Sequence, residues 1–167
     1  MKEVLISVQP KYCELIASGK KTVEVRKTKP KLNTPFKCYI YCTKSELLTK
    51  SHYNSRIYVA TSKDHQKALE RNGNITLSGK VIGEFICDYI YVNMSYACEG
   101  SRVSVSELQK YANGKPLYGW HISDLKIYDE PKELSDFTRL RETKFGYEPV
   151  KIERPPQSWC YVEEVKE

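Results

Sequence analysis

Four ionisable residues stand out for the chemistry they could perform together. In Thr22-Val23-Glu24-Val25-Arg26 the alternation has a period of two, so Val23 and Val25 face one way and Thr22, Glu24 and Arg26 the other. An arginine beside a glutamate can fix the carboxylate in place or grip a phosphate through its planar fork. Lys21, immediately before this run, can neutralise a phosphate or, if desolvated, serve as a base. Glu84, in the apolar stretch 80–92, can accept a hydrogen bond from a base amino group or carry a proton. Two readings of the set follow. One is a ligand pocket built from Lys21, Glu24, Arg26 and Glu84, with Lys21, Glu84 and Glu24 as the catalytic groups if the protein is an enzyme. The other is a partly buried ion-pair network that ties a helix to a sheet and needs no ligand. Trp120 and Trp159 offer either stacking faces for exposed bases or core packing, and Trp120 is included among the candidate ligand contacts. Tyr39 and Tyr41 are weaker candidates of the same kind. His121, beside Trp120, is an acid–base group or a packed strand residue.

The elements that must position these side chains can be read from local pattern. Residues 2–8 predict a first strand, and Pro10 then stands where a helix tolerates proline, in its first turn. Tyr12, Leu15 and Ile16 give that helix an apolar face, and Gly19 supplies a left-handed exit. Residues 22–26 and 36–42 predict strands, the second apolar on both faces. Within 44–79, residues 56–59 predict a short strand and 64–71 a helix, an elaboration on a simpler core or a lid over a site. Residues 80–92 predict one long bent strand, with Gly83 as the point of a bulge or close approach. Ser104 and Glu107 form a capping box for a helix ending at Asn113-Gly114. Residues 118–122 return to the sheet, Leu134 and Phe137 mark a turn, 145–154 read as loop, and a final strand closes at 159–162.

Several short strands, at least two short helices and no repeated strand–helix unit predict an α+β fold, a mixed β-barrel flanked by short helices. The 167 residues, 40% hydrophobic and 29% charged, suffice for one packed core, so residues 1–167 are expected to form a single domain. No apolar run approaches the roughly 18 residues that span a bilayer, and the amino-terminal stretch reads as a strand rather than a secretory signal. The six cysteines, at 13, 38, 42, 87, 98 and 160, include no CxxC pair, and three lie in strand-like runs as small apolar residues. The expectation is a reduced, cytoplasmic protein without a metal site or a cofactor. The +6 charge favours an anionic partner such as RNA or DNA, and the segment from Lys20 to Lys37 concentrates it: seven cations against Glu24 alone.

Gly19-Lys20-Lys21-Thr22-Val23-Glu24-Val25-Arg26 resembles the Gly-x-Lys-x-x-Glu-x-Arg signature of the ASCH domain family, one of the PUA-like group of small β-barrels. Gly79-Lys80-Val81-Ile82-Gly83-Glu84-Phe85, Gly119-Trp120-His121-Ile122 and Arg154-Pro155-Pro156-Gln157-Ser158-Trp159 extend the likeness over nearly the whole chain. The resemblance implies a PUA-like fold and a module that binds RNA or a modified nucleotide in a basic cleft beside the barrel. Some members hydrolyse the acetyl amide of N4-acetylcytidine with a lysine, a threonine and a glutamate, and others are reported to cleave RNA. By resemblance, Lys21 takes the lysine's place and Glu84 the glutamate's, while Glu24 stands where those amidohydrolases have the nucleophilic threonine. A hydrolase of a nucleoside amide or RNA phosphodiester is therefore the alternative expectation, and a protein-interaction domain a third.

Overall fold

The computed structural model describes residues 2–92 and 99–164. Its frame is a seven-stranded sheet in the order β10 (Ser123–Lys132), β7 (Val81–Cys87), β3 (Phe36–Cys42), β1 (Glu3–Val8), β13 (Trp159–Glu164), β11 (Phe137–Thr143) and β12 (Gly146–Lys151). At the centre, β1 runs parallel to β3 and antiparallel to β13. Burial explains why β3 is apolar on both faces. Cys38, Ile40 and Cys42 join Val4, Ile6 and Val8 against helix α1 (Pro10–Ala17), whereas Tyr39 and Tyr41 pack on the other side with Leu5, Phe137 and Val162.

A second sheet, β2-β9-β8, joins β2 (Val23–Arg26), β9 (Tyr118–His121) and β8 (Ile90–Tyr91). Its Trp120 is fully buried and meets the rings of Phe36 and Trp159 edge-on at 5.9 and 5.8 Å. The third sheet, β5-β4-β6, contains β4 (Leu48–Lys50), β5 (Ile57–Val59) and β6 (Ile75–Thr76), with α2 (Lys63–Arg71) between the last two. The strand at 56–59 and the helix at 64–71 are thus present. Leu48 and Leu77 sit in the main core, and β4 and β5 pack against α1, so the segment 44–79 buttresses that helix.

The α+β class stands as expected. Among the described residues no sheet closes on itself: β10 (Ser123–Lys132) and β12 (Gly146–Lys151) end the large sheet without pairing to each other. Two local expectations are corrected. The long strand at 80–92 is two strands, β7 (Val81–Cys87) in the large sheet and β8 in the second, because the chain changes sheets at Asp88-Tyr89. Residues 146–151, expected as loop, form β12 in a hairpin with β11 (Phe137–Thr143). That hairpin projects into solvent, so β12 lacks the buried face that marks a strand.

The helices follow their end signals. α1 carries Pro10 in its first turn, and Gly19 beyond it has φ +74°, in the region where a side chain is strained. α3 (Val105–Ala112) starts with the reciprocal Ser104–Glu107 capping box. In the described residues, no helix is long and apolar enough to cross a membrane.

Candidate nucleic-acid interface

The end of β1, the start of α1, strand β2 and helix α3 converge on a cavity of about 290 Å³. Glu24 lies in its floor. Strand alternation sends Val23 and Val25 toward Leu108 and Ala112 of α3, leaving Glu24 and Arg26 on the opposite face of β2. The Glu24 carboxylate is held from both sides: Arg26 Nη2 lies 3.1 Å from Oε1, and Lys21 Nζ 3.2 Å from Oε2. Each cation is anchored again. Lys21 donates to the Ser101 carbonyl at 2.6 Å and stands 5.0 Å from the centre of the Tyr12 ring, while Arg26 donates to the Ser7 carbonyl at 2.6 Å. The Lys21, Glu24 and Arg26 side chains are only 2%, 8% and 11% exposed, so they form a floor rather than a rim.

Low local polarity makes this arrangement strong and one-sided. Buried charges must be paired, and here two cations share one carboxylate, leaving an excess positive charge at the base of the cavity. Burial pushes the Cys38 thiol well above its ordinary value, and the Glu24 and Arg26 charges act on it through the core. Above the floor, Tyr12 and Tyr111 supply aromatic walls. Lys11 lies 4.8 Å over the Tyr12 ring and Lys27 4.6 Å over the Tyr111 ring. Glu107 also lines the cavity, with its carboxyl held below the ordinary value by the Ser104 hydroxyl and backbone N–H of the capping box.

The structure thus brings Lys21, Glu24 and Arg26 together and places the other two candidates elsewhere. Glu84 pairs across the sheet with Tyr39, on the face opposite Cys38 and α1. There it accepts a 2.5 Å hydrogen bond from Tyr128, and Lys37 stands 3.6 Å from Glu84 and 3.9 Å from Glu3. A β-bulge is responsible: β3 and β7 shift register between Ile40 and Tyr41, so Ile82 packs with Phe85 and Cys87 while Glu84 turns to the tyrosine side. Trp120 is corrected too. With its ring 0% exposed between Phe36 and Trp159, it has no face to offer a base. Trp159 is half-buried and donates from Nε1 to Thr28 at 2.9 Å. Tyr39 is buried and donates to Glu3 at 2.7 Å, and Tyr41 is buried in the same cluster. His121 pairs with Asp88 at 2.6 Å, outside the cavity, and lowers the Asp88 carboxyl.

Sequence reading missed Ser7, Lys11, Tyr12 and Tyr111 as cavity residues. The pattern places Tyr12 on the apolar face of its helix, and nothing local reveals that Tyr12 and Tyr111 meet the same cavity. The hydroxyls are informative for the hydrolase alternative. Glu24 lies in the floor with both oxygens ion-paired; Thr22 is exposed, with its hydroxyl packed against Gly100. Ser7 does line the cavity, but its hydroxyl donates to the Pro156 carbonyl at 2.6 Å rather than to a base. Among the described residues no group of His, Cys, Asp and Glu is arranged to hold a metal.

Residues 6–156 match the family model of the ASCH domain. The chain belongs to the ASCH domain family. ASCH domains, members of the PUA-like superfamily, are nucleic-acid-associated modules. The fold is similar to that of the crystallised ASCH protein of Zymomonas mobilis, at 20% identity and a TM-score of 0.55 over 97% of this chain and 88% of that one. A tyrosine-to-phenylalanine mutant of the same protein gives 19% identity and a TM-score of 0.55 over 98% and 91% of the two chains. Its serine-to-alanine mutant gives 20% and 0.53 over 97% and 89%. No curated protein matches the chain significantly.

Proposed function

We propose that this ASCH domain binds RNA or a modified nucleotide in the cavity between α1, β2 and α3. The observation that carries the reading is the buried Lys21–Glu24–Arg26 group: two anchored cations around one carboxylate, at the base of a cavity walled by Tyr12 and Tyr111. Tyr12 and Tyr111 supply aromatic surface for an unstacked base, and Lys11 in the cavity lining and Lys27 beside Tyr111 supply charge for its phosphates. A reduced, cytoplasmic setting is part of this proposal. The five described cysteines are free thiols, and Cys98 lies outside the described residues.

The test is fluorescence anisotropy with a labelled single-stranded RNA, compared with DNA of the same sequence and with free nucleosides. Affinity should fall steeply between about 50 and 200 mM salt, because phosphate contacts release counterions. Lys11→Ala, at the rim, should reduce the salt slope by about one unit, and Lys21→Ala should weaken binding about tenfold or more. Equal background-level binding of RNA, DNA and nucleosides would overturn the proposal.

A further inference from the structure

A second and larger recess, about 500 Å³, shares no lining residue with the cavity above the Lys21–Glu24–Arg26 floor. It exists because β11 and β13 part company. They pair only at Phe137–Glu164 and Thr138–Glu163, after which the β11–β12 hairpin swings away. Beyond that fork, one edge of β13 at residues 160–162 and one edge of β11 at 139–141 have no strand partner among the described residues. Strand edges carry a row of backbone donors and acceptors, the template on which another strand adds.

The side chains around the fork suit such a guest. Leu140, Tyr147 and Cys160 give an apolar lining above the buried Val162, and Lys2 and Arg139 outnumber the single acid, Glu163. The hairpin also concentrates exposed apolar surface: Leu140 is 51%, Phe145 90% and Tyr147 70% exposed. Natural edges are commonly protected by charge or covering; here the open main chain is flanked by exposed Leu140 as well as by Arg139 and Arg141. We propose that this fork is a docking site for an extended peptide of another protein, added as a β-strand. Its apolar residues would enter on the Leu140 and Cys160 side, and alternate acidic residues would meet Lys2 and Arg139. Charge complementarity and the open backbone favour this occupant. Base stacking alone would not use the strand edges.

Short random peptides displayed on phage, selected against the full chain, provide the probe. Recovered peptides should alternate apolar residues with Asp or Glu, and their binding should slow amide exchange at 139–141 or 160–162. Leu140→Asp and Arg139→Glu, both at exposed positions that leave the core intact, should each weaken those synthetic peptides about tenfold or more. Saturating RNA should leave peptide affinity unchanged, which separates this site from the nucleotide cavity. Peptides that bind the Leu140→Asp and Arg139→Glu proteins normally, or that protect amides elsewhere, would overturn the proposal. So would displacement of the peptides by RNA, or a self-association abolished by Leu140→Asp, since the occupant would then be nucleic acid or a second copy of the chain.

Discussion

Glu24 is the residue on which the cavity depends, because its one carboxylate is ion-paired to both cations of the floor. Glu24→Gln keeps the shape but leaves Lys21 and Arg26 buried beside a neutral amide. Removing one partner of a buried ion pair costs about 3–5 kcal/mol, and a loss of that order is expected in the urea midpoint at constant m-value. A loss below about 1 kcal/mol, the range of exposed pairs, would show that water reaches the floor freely. This part of the site was legible in the sequence because it is local: alternation along β2 puts Glu24 and Arg26 on one face, and Lys21 immediately precedes the strand. Trp120 was not legible, since an aromatic residue in a strand has the same pattern whether its neighbour is a ligand or Phe36. The same is true of Ser7 and Tyr111, which join the cavity only through contacts between distant segments.

At the level of elements, the bulge in β7 decides which carboxylate belongs to which face. Simple alternation from Ile82 would send Glu84 to the α1 side; the extra residue sends it to Tyr39 and Tyr128 instead. Gly83 marked the irregularity in the sequence, but the direction in which Glu84 turned depended on the register with β3. The glycine is required by proximity. A Cβ there would lie 2.4 Å from the Lys126 carbonyl oxygen on β10 and 3.1 Å from Ile127. Gly83→Ala must therefore push two strands apart, with an expected loss of about 1–3 kcal/mol in denaturant unfolding. An unchanged midpoint would mean that β10 yields without strain. Hairpin β11–β12 marks the opposite limit of legibility: it is fully paired yet exposed on both faces, so no hydrophobic period announces β12.

For the whole molecule, the core's dependence on protonated thiols and phenols sets an alkaline limit. Burial raises Cys13 and Cys38 well above their ordinary value of 9.0, Cys87 to about 12 and Cys160 to about 11. Tyr39 and Tyr128 are raised as well, by burial first and then by their bonds to Glu3 and Glu84. The unfolded chain releases these protons earlier than the folded one, so the folded state binds more of them and stability must fall as pH rises. The contribution is complete below 9.0 and is expected to drain away through the values of Cys160 and Cys87, near 11 and 12. Urea midpoints taken from neutral to alkaline pH check this, and a flat profile above pH 9 would contradict it. The cavity has a long reach along the chain. Lys21 is fastened to Ser101, 80 positions later, and Ser7 to Pro156, 149 positions later. During synthesis the floor therefore leaves the ribosome long before the α3 side, and Ser7 gains its partner only when β13 is about to follow. A guest recognised by all of these surfaces must wait until residue 156 has emerged, which makes occupancy of the cavity a reporter of the domain's completed closure.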